Sequence, residues 1–334
     1  LWHGLAASTR KTYSTGQRQF IIHAQLNGLY NPDGSILPAS EPAILSWVAH
    51  LGGRVQPKTI KAYLSAMRSL HVDGGLPFTS VESPLVQRLV RGIKRYHGER
   101  DRKPVQPITL PILTTLLAQL KPGTIPGDTT TYAACCLAYS GLLRSGELTV
   151  GKGGKYSASL NLSRRSVQFL PTFADATHVR LTLPASKTDP FRKGVTITVA
   201  AAPGQLTCPV AALKALFIET PRPDDAPLFE QLDGQALSYS HFVKSIRNAL
   251  SLAGLNPEIY AGHSFRRGAA SAAAAAGYSD YEIQLLGRWR SDSYKLYIDN
   301  DPNRILHLSS LLHVAFTHLA PFEPPALRDF TAMA

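Results

Sequence analysis

The chain has 334 residues, 44% of them hydrophobic, with 35 Lys+Arg against 23 Asp+Glu, a net charge of +12 and a pI near 9.7. That is enough apolar material for two domains, while no run approaches the roughly 20 apolar residues that a membrane span requires. Cys135, Cys136 and Cys208 form an odd set without a CxxC, which argues against a disulfide framework and against a cysteine-rich zinc site. The stretch Leu1 to Arg10 lacks a basic segment followed by a long apolar one, so no secretory signal is expected there.

In chain order, the first third reads as helices. Ser8-Thr9 can cap a helix from Arg10 to about Asn27, with Tyr13, Phe20, Ile21 and Ala24 on one face. Asn31-Pro32-Asp33-Gly34 is a turn. A second helix begins at Ser40, with Pro42 early in it, and stops at Gly52-Gly53. Pro57 and Thr59 open a third, and Ser83-Pro84 a fourth, giving a four-helix domain over residues 1–98. Residues 99–108 are polar, carry two prolines and read as a linker. The second domain, 109–334, starts with Thr109 as an N-cap and Pro111 just inside. Helices are expected over 110–120 and 129–142. The period then changes, and Ser166–Phe169, His178–Leu183 and Val195–Val199 read as a small antiparallel sheet, with a turn over Asp189–Gly194. Further helices are expected over Pro209–Phe217, Tyr239–Gly254, Ser264–Gly277, Ser279–Leu286, Ser291–Tyr297 and Asn303–Phe316. The expected fold class is mainly α with a small antiparallel β insert.

Charge is unevenly spread. Residues 1–105 hold 14 Lys+Arg against 6 Asp+Glu, and the remainder holds 21 against 17, so the smaller N-terminal part carries most of the excess. Such a surplus suits a polyanion such as DNA. Cys135 and Cys136 lie in an apolar run and read as buried structural thiols.

Five stations carry the candidate chemistry. The first is Arg144 in Gly141-Leu142-Leu143-Arg144-Ser145-Gly146-Glu147-Leu148; on a helix, Glu147 three residues on shares its face and can orient it. The second is Lys187, at a turn just past a strand. The third is His263 with Arg266 three residues on. The fourth is Leu286-Gly287-Arg288-Trp289, and the fifth is Tyr297, nine residues after Arg288 and eight after Trp289. Each pair alone is common. In this order and spacing the five resemble the tyrosine recombinase (phage-integrase) family, whose pattern is arginine, β-turn lysine, HxxR, a histidine or tryptophan, and a tyrosine nucleophile. The phrases SKTDPFRKG at 186–194 and GRWRSDSYKLYI at 287–298 look most like the recombinases of eukaryotic Crypton-type mobile elements.

The resemblance implies a helical core-binding domain followed by a catalytic domain, and a metal- and ATP-independent exchange of DNA strands through a 3′-phosphotyrosine. Arg144 and Arg266 would hold the non-bridging phosphate oxygens bidentately and stabilise charge that grows in the transition state. Lys187 would protonate the leaving 5′ oxygen. His263 would hydrogen-bond the phosphate or help take the tyrosine proton, and Tyr297 would attack phosphorus. Trp289 is favoured for the histidine/tryptophan station, its indole N–H donating to phosphate, with Arg288 as a supporting phosphate clamp or a surface residue. Tyr294 is the rival nucleophile.

For double-stranded DNA, the candidate contacts are Lys58, Lys61 and Arg68, then Arg88, Arg91, Lys94 and Arg95 as one basic stripe, and Arg100, Arg102 and Lys103 in the linker. Arg267 reads as a solvent or DNA-backbone contact. An apolar helix with Ile305, Leu308, Leu311, Leu312 and Phe316 either docks on a neighbouring subunit, making a homo-tetramer on two duplexes, or packs on its own domain. No cofactor, metal site or membrane contact is expected: His307 and His313 are six apart, and HExxH, GxSxG, Walker and dinucleotide motifs are absent. The expected location is intracellular, nuclear in a eukaryote. Two rival readings are a recombinase-derived DNA-binding protein that no longer cuts and a type IB topoisomerase.

Overall fold

The computed structural model describes residues 2–98, 105–151, 153–184, 194–289 and 294–295. The chain divides into two compact units, Leu1–Pro104 and Val105–Ala334.

In the first unit, helices α1 (Ala7–Leu26), α2 (Glu41–Leu51), α3 (Pro57–Asp73) and α5 (Pro84–His97) correspond to the four expected, and a one-turn helix α4 (Thr79–Glu82) precedes the last. Four residues are too few for a periodic apolar pattern to register, which is why α4 is not legible in the sequence. Ser40 caps α2 by accepting from the Ala43 N–H at 3.4 Å, with Pro42 in the first turn. Ser83 does the same for α5 through the Leu85 N–H at 3.1 Å and also bonds to Glu41. The core holds Phe20, Ile44, Trp47, Val48, Ile60, Met67, Val86 and Val90. Trp47 anchors it, taking Phe20 edge-on at 5.3 Å and Tyr63 stacked at 6.1 Å. His71 is fully buried and fastens α3 to the chain before α2: one ring nitrogen accepts from the Ala39 N–H at 2.8 Å, so the other donates to the Met67 carbonyl at 2.7 Å.

The second unit is built around α7 (Asp128–Ser140), whose residues from Ala133 to Ala138 are all buried. Against it pack α6 (Leu110–Leu117), α9 (Pro209–Glu219), α10 (Tyr239–Leu252) and α11 (Ser264–Ala275). The β insert is a three-stranded antiparallel sheet in the order β1 (Val167–Leu170), β2 (His178–Leu183), β3 (Val195–Ala200), with Val167 opposite Leu181 and Leu183 opposite Val195. Val179, Leu181 and Leu183 alternate inward from β2 to the core, as period-two burial requires. The short α8 (Ser145–Leu148) follows α7, and α12 (Asp280–Gly287) follows α11. A capping box starts α12, with Ser279 accepting from the Glu282 N–H and the Glu282 carboxylate accepting from the Ser279 N–H.

Two expectations change. Residues 105–108, read as the end of the linker, are a part of the second unit. Gln106 N–H donates to the Ile259 carbonyl at 2.8 Å, Ile108 N–H donates to the Ser264 carbonyl at 2.9 Å, and the Ile108 side chain is fully buried. A β-carbon at Gly268 of α11 would lie 1.8 Å from the Ile108 carbonyl oxygen, so glycine is what lets this segment lie against the helix. The helix expected over 129–142 ends at Ser140, because Leu142 takes a left-handed conformation (φ 44°) that a helix cannot continue through. The expected turn at 189–193 and helices Ser291–Tyr297 and Asn303–Phe316 lie outside the described residues, apart from Tyr294 and Lys295.

Candidate active site

The first station is not helical as expected. Arg144 is the N-cap of α8, in an extended conformation (φ −76°, ψ 141°), and Glu147 is the third residue of that turn. An R-x-x-E spacing reads alike on a helix face and across a helix start, so sequence alone does not separate them. The Glu147 carboxylate still orients the arginine: Oε1 accepts from Arg144 Nη1 at 2.9 Å and Oε2 from the Arg144 backbone N–H at 2.8 Å. The Glu147 side chain is 4% exposed and that of Arg144 19%, so the carboxylate is buried and the guanidinium partly exposed.

Arg288 meets the same carboxylate. Its Nη2 lies 3.2 Å from Glu147 Oε2, and its Nη1 donates to the Gly141 carbonyl at 3.1 Å. Burial pushes its guanidinium below its ordinary value, Glu147 opposes that and Arg144 adds to it. A guanidinium starts so high that the side chain stays charged.

Arg266, on the first turn of α11, is 1% exposed. It donates to the carbonyls of Leu142 and Gly287 and stacks over the Trp289 ring at 4.0 Å. The Leu142 carbonyl also lies 3.5 Å from Arg288 Nη2. Arg144, Arg266 and Arg288 are thus tied together by shared acceptors, the Glu147 carboxylate and the backbone at 141–142. Among the described residues, Glu147 is the one carboxylate in that web of bonds.

His263 is the exposed N-cap residue of α11, three residues before Arg266. Its chain neighbour Gly262 approaches Ser145, the neighbour of Arg144, so closely that an added β-carbon would lie 2.6 Å from Ser145 Cβ. The first and third stations are therefore pressed together by their flanking residues. Trp289 is 8% exposed and lies in a small cluster with Leu142, Ala269, Ala270, Ala274, Ile283 and Tyr294. Tyr294, the rival nucleophile, is fully buried, with its ring 5.9 Å from that of Trp289, and its hydroxyl is the main cause holding the Asp280 carboxyl below its usual range. Lys187 and Tyr297 lie outside the described residues.

Of the expected DNA contacts, Lys58, Lys61, Arg88, Arg91, Lys94 and Arg95 are exposed in the first unit. On α5 the basic residues lie opposite Val86, Val90 and Ile93, which face the core. Arg68 is committed to its own unit, with Nε 2.6 Å from Glu82 and the guanidinium over Phe78 at 4.6 Å. Arg100, Arg102 and Lys103 lie outside the described residues. Arg267, read as a solvent or DNA contact, donates to the Val105 carbonyl at 2.8 Å. Among the described residues no group of His, Cys, Asp and Glu could hold a metal, and no helix is long and apolar enough to cross a membrane.

Known proteins resemble this architecture. The chain is 25% identical over 320 residues to an integrase/recombinase XerD homolog of Selenomonas ruminantium, covering 90% of this chain and 86% of that protein. Among solved structures, the XerH site-specific recombinase in a post-cleavage complex with palindromic difH substrate aligns with a TM-score of 0.61 at 14% identity, over 91% of this chain and 80% of that one. A lambda integrase dimer bound to a COC′ core site aligns at 0.54 and 14% identity, over 89% and 73%. The Tn1549 transposon integrase with circular-intermediate DNA aligns at 0.54 and 12% identity, over 89% and 91%. No family model matches the chain. The fold is that of the tyrosine recombinases. The XerD homolog is similar to this chain in sequence, and these solved structures share its fold.

Proposed function

We propose that the chain is an active tyrosine recombinase that cuts and rejoins double-stranded DNA through a 3′-phosphotyrosine at Tyr297. The observation that carries this reading is the convergence of Arg144, Arg266 and Arg288 on the Gly141–Leu142 carbonyls and on a single carboxylate, Glu147. A phosphodiester resists attack because its oxygens are already negative and its leaving alkoxide is poor. Guanidinium groups fixed before the reaction stabilise the added charge without reorganising.

Arg144, the more exposed of the three, binds the non-bridging oxygens. Arg266 steadies the 141–142 loop from below and adds its charge. His263 hydrogen-bonds the phosphate. The Tyr297 oxygen attacks phosphorus as its proton passes to His263, the bond to the 5′ oxygen breaks, and Lys187 protonates that oxygen. The phosphotyrosine keeps the bond energy, so a 5′ hydroxyl from a second duplex reverses the step without metal or ATP. The first unit clamps the duplex with Lys58, Lys61 and the α5 stripe, and the linker arginines with Lys103 follow the backbone. In this reading the two functional domains are residues 1–98 and the second unit from Val105 onward. The enzyme works inside the cell, in the nucleus of a eukaryotic host, as a homo-tetramer on two duplexes serving a mobile element. The two phrases at 186–194 and 287–298, with their Crypton-type look, support the last point.

The test is a nicked suicide duplex carrying the end sequences of the element that encodes the protein. Wild type is expected to form a covalent adduct, Tyr294→Phe to retain it and Tyr297→Phe to lose it. An adduct that survives Tyr297→Phe but not Tyr294→Phe moves the nucleophile to Tyr294. Binding without any adduct in the wild type supports a DNA-binding protein that no longer cuts.

A further inference from the structure

Two neighbouring residues compete for the fourth station, and the structure gives them different partners. Trp289 is buried, with one face against the Arg266 guanidinium and an edge toward Tyr294. Arg288 leaves the end of α12 and reaches back to residues 141, 142 and 147. We infer that Arg288 rather than Trp289 serves the fourth station, as a positioning residue: it holds the Glu147 carboxylate and the Gly141–Leu142 carbonyls so that Arg144 faces the reacting phosphate. Trp289 is the platform for Arg266. The inference rests on the recombinase reading above and deepens it.

The first argument is the backbone. Arg288 follows the last residue of α12 with φ 56° and ψ 41°, the left-handed conformation that ends many helices. Glycine or asparagine adopts it readily, whereas a long side chain with a β-carbon is disfavoured there. An arginine thus stands where the backbone would favour another residue, and its side chain makes three bonds to the first station.

The second argument is the division of Glu147. Its Oε1 takes Arg144 Nη1, while Oε2 takes Arg288 Nη2 and the Arg144 backbone N–H. A carboxylate facing a lone arginine tends to grip it with both oxygens. Here the second oxygen is engaged, so the Arg144 guanidinium meets Glu147 through Nη1 alone. Among the described residues its Nε and Nη2 have no acceptor, which leaves a two-pronged edge for a phosphate.

The experiment uses the full chain and the same nicked duplex, with single-turnover adduct formation, DNA affinity and melting temperature read separately. Arg288→Asn keeps the left-handed backbone. It is expected to slow adduct formation about 100-fold while DNA affinity changes by less than about threefold; the melting temperature falls, because the bonds to residues 141, 142 and 147 are lost. Arg288→Lys keeps the charge but not the fork and is expected to recover about tenfold of that loss. Trp289→Phe is expected to lower the melting temperature and to slow the reaction less than Arg288→Asn does. In Glu147→Gln with Arg288→Asn, the double variant is expected to be no slower than the slower single, because the two act in one unit. Wild-type rate in Arg288→Asn overturns the inference. So does full recovery by lysine, a larger rate loss in Trp289→Phe, or a double variant slowed by the product of the singles. A wild type without any adduct ends the recombinase reading. Inorganic phosphate is then the probe: its Kd rises about tenfold in Arg288→Asn if Arg288 positions Arg144, and an unchanged Kd overturns the inference.

Discussion

Nη2 of Arg288 lies 3.2 Å from Oε2 of Glu147, a contact that joins residues 141 positions apart. The carboxylate is nearly out of solvent, so its charge is weakly screened and its removal leaves two guanidinium groups facing each other. Replacing one member of a buried ion pair costs more than the pair contributes, because the remaining charge is stranded. Glu147→Ala is expected to destabilise the second unit by about 3 kcal/mol, read from urea unfolding. Glu147→Gln, which still accepts through its amide oxygen, is expected to lose about half as much.

The close approach of Gly262 to Ser145 offers a test of how the first and third stations are brought together. A methyl group there has no room on the Ser145 side or on the Tyr239 side, where the nearest ring carbon would lie at 2.8 Å. Gly262→Ala is expected to lower stability by about 1–3 kcal/mol by overpacking. It is also expected to reduce adduct formation more than DNA binding, since it separates His263 from Arg144 while leaving the α5 stripe untouched. Parallel rate and affinity measurements check this.

On α5, Arg88, Arg91, Lys94 and Arg95 are exposed, with Val86, Val90 and Ile93 behind them. Each cation that neutralises a phosphate releases condensed counterions. Changing all four to alanine is expected to reduce the slope of log K against log salt by about 3–4 on a random-sequence duplex, with the fold intact. Arg68→Ala is expected to alter that slope less, because its guanidinium already pairs with Glu82 at 2.6 Å. Fluorescence anisotropy across a salt series measures both.

His23 predicts a pH dependence for the first unit. Burial, with His50 at 4.9 Å adding to it, holds its pKa below the ordinary 6.5, and the ring bonds to Ser46 at 3.1 Å. The unfolded chain therefore takes up a proton before the folded one does. Stability is fully present above about pH 6.5 and declines as pH falls from there towards the lowered folded value, below which it levels off. Arg54, donating to His50 at 3.2 Å, adds a fixed positive charge to this region. Urea midpoints between pH 8 and pH 5 should show the decline, and His23→Gln should flatten it.

The amphipathic helices were legible because their apolar residues recur at helical spacing, and β2 because its alternation is strict from His178 to Leu183. The spacing marks residues 144, 147, 263, 266 and 288, and the structure brings 144, 147, 266 and 288 together. The bonds that each arginine makes are not encoded in that spacing. Arg266 was expected at the phosphate and is 1% exposed, stacked on a tryptophan. Arg144 was expected on a helix face and is a cap. The linkage of Arg288 to Glu147 depends on left-handed backbone at Leu142 and Arg288, conformations that residue spacing does not encode. Residues 105–108 looked like linker because they are short and proline-bearing. Their partner shows in the fold, where Ile108 is buried and lies against Gly268 of α11.

The carbonyls of Gly141, Leu142 and Gly287 receive Arg266 and Arg288. A carbonyl belongs to the main chain and survives every codon change that preserves the local fold. Genetic drift can erase a side-chain acceptor in one step but not these three. Much of the scaffold for two of the three arginines thus comes with the shape of the polypeptide, and among the described residues the side chains that share the task are Glu147 and Trp289.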